Sequence, residues 1–476
     1  MSKSSSTPGF TPGFTPVFAP GGRVHFVGIA GSGMSGIARI LLARKVAVSG
    51  SDSTEQSSLE TLRREGARIF IGHDRSNVEG AEILVVSSAI ASDNPEVLAA
   101  RSKGVPVLGR AEALAGLLVG RRSIAVAGTH GKTTTSGMLA WALSEMGQDP
   151  SFVVGSTIRG LDSGAADGSG DTFIVEADES DGSFLRYHPY GAIITNLELD
   201  HVDNFKDLSE VREIFADFVR TVKSFLVLCG NDPELRTLEF PSELRTIRYG
   251  IEEEGQEEFD LQLSDLHLSS GSASASVTWR GRALGTLNLS ISGRHNLLNA
   301  GAVIATLLEL GFAIESIFGA LKTFQGTSRR FEIKGEVGGV TLIDDYGHHP
   351  TEIEATLAMA RNYMDNRGRL VVIFQPHRFS RTAAFYKEFA SALEEADFIY
   401  LMDIYGASES PMEGVDTGLI AARIQPEKVC YLPSRNELID ELLKVLSPGD
   451  LVLTLGAGDI TYLGGELLER MRNRSS

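Results

Sequence analysis

Short apolar runs recur along the chain, and most are followed by a turn and then by apolar residues spaced for one face of a helix. In the first part, runs at 23–28, 46–49, 67–71, 83–87 and 105–108 read as strands, with helical patterns at 37–43 and 111–118. The middle repeats the arrangement, with strands at 124–127, 172–175, 192–195 and 224–230. A helix after the first of these carries Met138, Leu139, Ala142, Leu143 and Met146 as an apolar stripe. Residues 251–292 change character: an acidic patch at 252–258 precedes alternating segments that read as small antiparallel strands, and a helix at 300–310 follows. The last part returns to alternation. Its strands are expected at 340–343, 370–374, 398–402, 429–432 and 451–455, separated by helical patterns at 351–361, 384–396, 437–446 and 462–470. The fold class expected from this pattern is α/β, in three domains over 21–120, 121–326 and 327–476. Residues 1–20 repeat T-P-G-F and hold little to bury, so a disordered arm, or a tail that binds a partner, is expected there.

Charge narrows the partners. Lys and Arg number 44 against 62 Asp and Glu, a net charge of −18, so there is no basic surplus to neutralise a nucleic-acid backbone. An anionic small substrate needs only local positive charge and remains open. Cys229 and Cys430 are too few and too far apart for a disulfide framework or a Cys-rich metal site, and both lie in apolar runs, so core thiols are expected. No apolar run reaches the roughly 18 residues of a membrane span, and the N-terminus lacks a charged-then-apolar signal pattern. A cytoplasmic protein with no membrane partner is expected.

The richest chemistry lies at 123–135, S-I-A-V-A-G-T-H-G-K-T-T-T. A buried strand breaks into a glycine turn, Lys132 and three threonines, and a helix follows. Glycines let backbone N–H groups approach a phosphate, the helix N-terminus favours negative charge, Lys neutralises terminal phosphates and Thr holds Mg²⁺. The usual pattern has a further glycine where Val126 stands, so the loop is a shorter cousin of the P-loop, and a central domain of P-loop ATPase type is expected. Upstream, Gly31, Gly33 and Gly36 fit G-x-G-x-x-G between a strand and a helix, with Asp52 about 20 residues on. A Rossmann-like first domain is expected, either with a diphosphate-bearing ligand at this turn or with a tight strand–helix turn that holds none. NAD and a UDP-sugar both satisfy the first reading.

Acids gather at other strand ends. The run at 172–175 ends in E-A-D-E-S-D, offering Glu176 as an oxygen ligand for Mg²⁺. The run at 192–195 leads to N-L-E-L-D-H-V-D, with His201 between acids. Asn296 and Asn299, in G-R-H-N-L-L-N, either cap a helix or contact a base, and Arg329 and Arg330 stand in a hinge-like G-T-S-R-R-F. The third domain, also Rossmann-like, carries D-D-Y-G-H-H-P and Q-P-H-R-F-S-R at strand ends, where Arg suits a carboxylate or phosphate. Open α/β sheets bind ligands at such ends, so three lobes closing on one crevice are expected. That arrangement suits phosphoryl transfer followed by a step that excludes water. A nicotinamide-dependent dehydrogenase would leave Gly-Lys-Thr and the acids unexplained. A non-catalytic nucleotide-binding regulator would not need the Arg/His rim.

Seven motifs occur in register from residue 23 onward: G-I-A-G-S-G-M-S-G-I-A, G-T-H-G-K-T-T-T, E-A-D-E-S-D-G-S-F-L, N-L-E-L-D-H-V-D, G-R-H-N-L-L-N-A, D-D-Y-G-H-H-P-T-E and Q-P-H-R-F-S-R-T. Together they resemble the Mur ligase family. The resemblance implies ATP-dependent amide formation between the lactyl carboxylate of UDP-N-acetylmuramate and L-alanine through an acyl phosphate, giving ADP and phosphate in peptidoglycan precursor synthesis. The sister activity, which attaches recycled tripeptide to the same sugar nucleotide, is expected to differ in the third domain, and Q-P-H-R-F-S-R-T favours L-alanine. A monomer or weak homodimer is implied.

The same resemblance places Gly31, Ser32, Gly33, Met34 and Ser35 at the UDP diphosphate, with Asp52, His73 and Ser88 in the UDP-sugar site. It places Gly128, Thr129, His130, Gly131, Lys132, Thr133 and Thr134 at the ATP phosphates, His295, Asn296 and Asn299 toward adenine, and Asp345 toward the ribose. Thr133 and Glu176 are implied as ligands of one Mg²⁺, and His201 as a ligand of a second. His348, His349, Arg378 and Arg381 are implied around the amino acid, and Lys132, His201, Arg330 and His349 as the catalytic group, with Arg329 beside Arg330 at the phosphate. Two features depart from the family. Ala30 stands where another glycine is usual, which a methyl tolerates unless φ is positive, and no candidate for a carbamylated lysine is evident.

Overall fold

The computed structural model of the protein describes residues 18–253, 259–365, 367–407 and 409–475. Three sheets account for the strands. The first is five-stranded and wholly parallel, in the order Arg68–Ile71, Ala47–Asp52, Arg23–Val27, Ile83–Val86, Val107–Gly109. Its inner strands are nearly continuous buried runs, as in a sheet covered on both faces, while the edge strand Arg68–Ile71 is half-exposed. The helix after the first strand spans Ser32–Ala43 and starts earlier than the apolar periodicity indicates. Its first turn sets Met34 among two serines and two glycines, residues that local propensity alone does not place in a helix.

The central sheet has ten strands. Arg122–Ala127 lies in its middle, paired in parallel with Thr172–Glu176 on one side and Gly191–Ile194 on the other. The chain leaves this strand between two neighbours reached in opposite directions, the crevice where such sheets bind ligands. The segments at 261–289 are antiparallel as expected, but they are no separate sheet. Leu261–Ser269 pairs in parallel with Arg245–Ile251 and carries the hairpins Ser272–Trp279 and Arg282–Leu289 onto the central sheet.

The third sheet has six strands, with Leu451–Leu455 between Val340–Asp345 and Leu370–Phe374. Its antiparallel edge, Glu332–Val337, is polar and was not evident as a strand. The helix Phe379–Leu393 begins before the expected 384, and Phe385 interrupts it with non-helical φ −120° and ψ 15°. The proposed disordered arm falls mostly on residues outside those described, as does most of the acidic patch. Phe18, at the arm's end, is packed against the core.

Packing separates the lobes unequally. One hydrophobic cluster runs through the first and central parts, from Val24 to Phe324. The helix Ser32–Ala43 lies on the central strands Ser151–Ile158 and Ser163–Ala166, so close that a Cβ on Gly36 would stand 3.2 Å from Val153. That approach explains the third glycine of the fingerprint. The last lobe keeps its own two apolar layers, one on each face of its sheet. Its contact with the centre is polar, as described below.

Among the described residues no helix is long and apolar enough to cross a membrane. Cys229 is buried, and burial pushes its thiol up to about 11. Cys430 corrects the expectation of two core thiols: it lies exposed on the short strand Val429–Tyr431, which pairs on one side only. A chromogenic disulfide reagent is therefore expected to titrate one thiol promptly in the native protein and the second only in denaturant. Two prompt thiols would show that the sheet around Cys229 opens readily.

Candidate functional site

The glycine loop needs its glycines. Gly128 has φ +124° and Gly131 φ +81°, both costly for a residue with a Cβ. A Cβ on Gly128 would also stand 2.1 Å from Thr195 Oγ1, and one on Gly131 2.7 Å from Asn299 Oδ1. The loop is moulded on the next strand end: His130 N–H donates to Asn196 Oδ1 (2.8 Å), and Thr195 Oγ1 and Asn196 Nδ2 donate to His130 O. Helix Lys132–Glu145 then starts with its N-terminus at the crevice.

Lys132, Thr133, Glu176 and His201 come together as expected. Lys132 Nζ donates to Gly128 O (2.6 Å), Thr129 O (3.0 Å) and Glu179 Oε2 (2.9 Å). Thr133 Oγ1 donates to Glu176 Oε1 (2.9 Å), and Gly155 N–H donates to Glu176 Oε2 (2.7 Å). His201 has φ +50°; its Nε2 lies 3.9 Å from Glu179, and its buried Nδ1 has no hydrogen-bond partner among the described residues. The Thr133 hydroxyl with the Glu176 carboxylate at one point, and the His201 imidazole beside Glu179 at another, offer donors to cations that phosphate oxygens would share.

Glu179 was not singled out by the sequence, because an acid after a strand reads as solvated loop. It is 2% exposed, and burial raises its carboxyl to about 7 against the pull of Lys132. Burial also opposes ionisation of Asp178, but Lys132, Arg110 and His201 prevail and hold it at about 2. Arg110, likewise missed, joins the first turn to this acid loop: it lies 3.7 Å from Asp178, and a Cβ on Gly33 would meet its side chain at 2.9 Å.

A cavity of about 720 Å³ opens between the central and last lobes. His130, Gly131, Thr134, His295, Asn296, Asn299, Arg330 and Asp345 line it, with Met359 and Tyr363 among its apolar walls. Gly128, Thr129, Lys132 and Thr133 are not among its lining and lie on the loop that carries His130 and Gly131. Asn296 Nδ2 donates to Ser292 O (2.6 Å), so it braces the turn before its helix as well as facing the cavity. Burial lowers the His295 imidazole to about 4, with Arg330 adding to the effect. Asp345 accepts from Phe331 N–H and Gly347 N–H, both at 2.7 Å, and thereby fixes the connection to the last lobe. That connection is bent, with positive φ at Gly326, Arg329 and Phe331. Arg329 and Arg330 both stack on Tyr346, at 4.8 and 5.0 Å. Arg330 reaches the cavity, whereas Arg329 turns to Gly456 O and Asp344.

The rim of the last lobe meets the N-L-E-L-D-H-V-D loop. Arg381, expected as an open grip for a carboxylate, is instead 2% exposed and bonded to Asp200 through Nε (2.9 Å) and Nη2 (2.8 Å), with Nη1 on His377 Nδ1. Burial opposes the charge on Asp200, but Arg381 and the neighbouring imidazoles hold it well below the usual carboxylate range. Arg378, at φ +71°, pairs with Asp203. His348 packs on Tyr346 and His377, and burial lowers it to about 3. His349 turns the other way, toward His130 (ring centroids 4.8 Å) and Phe385. Burial opposes protonation of His130, but Glu198 at 3.0 Å and Glu352 at 3.2 Å raise it to about 9.

In the first lobe the turn after Arg23–Val27 is held from behind. Asp52 accepts from Ala30 N–H (3.0 Å) and is nearly buried, so it supports the turn rather than lying open. Ala30 has no positive φ, which removes the objection to its methyl. Met34 is in the core, so only its backbone faces the turn. Gly31 and Gly33 also lack positive φ, and the Arg110 side chain lies close over Gly33. His73 shares a network with Ser51 and the fully buried Glu96, and Ser88 is exposed just past Ile83–Val86.

Comparison with known proteins agrees with this geometry. Three family models match in order: the Mur ligase family catalytic domain over 23–122, the Mur ligase middle domain over 126–307 and the Mur ligase glutamate ligase domain over 329–458. A UDP-N-acetylmuramate–L-alanine ligase of Geotalea daltonii is 42% identical over 94% of this chain and 98% of its own. One of Nitratidesulfovibrio vulgaris is 45% identical over 93% and 97%. The crystal structure of a UDP-N-acetylmuramate-alanine ligase from Thermotoga maritima superposes with TM-score 0.81 at 30% identity, covering 95% of this chain and 99% of that one. A murein peptide ligase from Psychrobacter arcticus shares the fold, with TM-score 0.72 at 24% identity and coverage of 95% and 99%. The chain belongs to the Mur ligase family.

Proposed function

We propose that the protein joins the lactyl carboxylate of UDP-N-acetylmuramate to L-alanine with cleavage of ATP to ADP and phosphate, a step in making the peptidoglycan precursor. The observation that carries this reading is the convergence of strand ends from two lobes: Lys132, Thr133, Glu176 and His201 from the centre face Arg381, Arg378 and His348 from the last lobe across the Asp200–Asp203 loop.

ATP is proposed to lie with its adenosine in the cavity, near His295, Asn296, Asn299 and Asp345, and its phosphates on the loop from Gly128 to Thr134. Thr133, Glu176 and His201 are the residues that would hold Mg²⁺, which supplies charge neutralisation on the phosphates. Lys132 balances negative charge on the transferred group, and Arg330 does so from the cavity side. The UDP diphosphate is proposed at the helix N-terminus formed by Gly31, Ser32, Gly33, Met34 and Ser35, with His73 and Ser88 nearby. His348, Arg378 and Arg381 form the side on which the amino acid would enter. Arg381 reaches a substrate carboxylate only by exchanging Asp200 for it, whereas Arg378 is partly exposed beside Asp203. The polar contact between the lobes suits repeated parting and closing, and closure excludes water from an activated carboxylate.

ADP release measured with UDP-N-acetylmuramate, Mg²⁺ and individual amino acids tests the reading. Release requiring both substrates, with L-alanine preferred over Gly and Ser, is expected. Release indifferent to the sugar nucleotide would overturn it, as would NADH binding in place of UDP-sugar binding.

A further inference from the structure

Three side chains from separate segments meet where the central and last lobes touch. His130 belongs to the glycine loop, Glu198 follows strand Gly191–Ile194, and His349 precedes helix Pro350–Tyr363. One ligand atom from each lies within 4.8 Å of the others. His130 Nε2 is 3.0 Å from Glu198 Oε2, and His349 Nδ1 is 4.0 Å from the same oxygen.

His349 supplies a second, independent observation. It is 2% exposed, and among the described residues neither ring nitrogen has a hydrogen-bond partner. A buried imidazole in that state has given up its hydration without compensation. The ring lies against His130 on one side and Phe385 on another. Its Nδ1 is directed at the gap bounded by Glu198.

The remaining neighbour completes the pattern. Glu352 Oε1 is 3.2 Å from His130 Nδ1. With a carboxylate on each nitrogen His130 holds a proton that an incoming cation displaces from Nε2; Glu352 then keeps the other proton on Nδ1, the usual outer arrangement of a metal-bound histidine. We propose that His130, Glu198 and His349 bind a divalent transition-metal ion of the Zn²⁺ class, with Glu352 orienting His130, and that the bound ion ties the central lobe to the last one. Two imidazoles and one carboxylate suit zinc with an open fourth position. They do not suit Mg²⁺, which prefers oxygen ligands and keeps several waters. The site is therefore chemically distinct from Thr133, Glu176 and His201. It uses none of their side chains and does not depend on the ligase reading.

Because the ligands come from both lobes, occupancy opposes their separation. Any reaction cycle in which the lobes part is slowed by the ion, which makes the site inhibitory.

The test is Zn²⁺ uptake by the full chain in Mg²⁺-free buffer, in competition with a chromogenic chelator. One ion per chain is expected. His349→Ala and Glu198→Gln should each weaken uptake by about tenfold or more, the scale on which single changes around a metal act. Glu198 is 40% exposed, so its variant keeps the fold even where the His349 variant does not. Two controls locate the ion: His201→Ala removes the imidazole of the phosphate site, and Cys430→Ser removes the exposed thiol. Neither should change the affinity. No stoichiometric uptake would overturn the proposal. So would uptake that survives both test variants, or that is lost in either control.

Discussion

Lys132→Ala is expected to lower the rate of ADP release by about a thousandfold, the scale seen when a positioned charge-stabilising group is removed from a transition state. Lys132 is not a surface cation: its side chain is 13% exposed, and its ammonium is held by two loop carbonyls and Glu179. A cation so fixed costs little reorganisation when negative charge develops on a phosphoryl group. UDP-sugar binding should change by no more than about twofold, because the two sites lie on different sheets. The turn at Gly31–Ser35 belongs to the five-stranded sheet, and the glycine loop belongs to the central one. Calorimetry with UDP-N-acetylmuramate and an ADP-release assay on the same preparation decide the matter. Loss of both would mean that the variant is misfolded or that Lys132 serves the sugar nucleotide.

Why this residue was legible while others were not follows from where the information sits. The glycine loop announces itself locally, since two glycines, Lys and Thr between a strand and a helix have few other uses. Glu176 was legible because a buried run delivers it to a strand end. Its partner Thr133 is 43 residues away, and only the common sheet edge links them. Glu179 lies in the same E-A-D-E-S-D run, where nothing local tells a buried acid from a solvated one. The signal available was the number of acids there, more than one cation site uses. Glu352 was hidden for a similar reason, since an acid in the first turn of a helix reads as a favourable end charge. Arg381 was placed in the right motif, but its burial on Asp200, 181 residues earlier, is a tertiary fact. The boundary errors were physical as well. Helix Ser32–Ala43 starts in glycine and serine because the loop and sheet hold it there, and the strand Glu332–Val337 is polar because it is an edge.

The buried Arg381–Asp200 pair yields the second large effect. Asp200→Ala leaves a guanidinium, 2% exposed, without its counter-charge, and breaking such a pair from one side costs about 3–5 kcal/mol. The chain has two ways to relieve that cost. It can unfold, or the last lobe can move away and let water reach Arg381. The second is the cheaper route, because the last lobe has its own two apolar layers while its contact with the centre is made of ion pairs and hydrogen bonds such as Arg378–Asp203 and Thr351–Glu198. We therefore expect Asp200→Ala to increase the radius of gyration in small-angle scattering, while the first and central lobes, which share one core, stay folded. ADP release should fall at least tenfold. The double variant Asp200→Leu, Arg381→Met separates stability from function, since an apolar pair of similar volume often matches or exceeds a buried ion pair in stability. It should close the particle again and restore the melting temperature, yet leave ADP release low, because Arg381 would no longer be present to exchange Asp200 for a substrate carboxylate. A double variant that regains activity with closure would assign Arg381 to holding the lobes together and to nothing else.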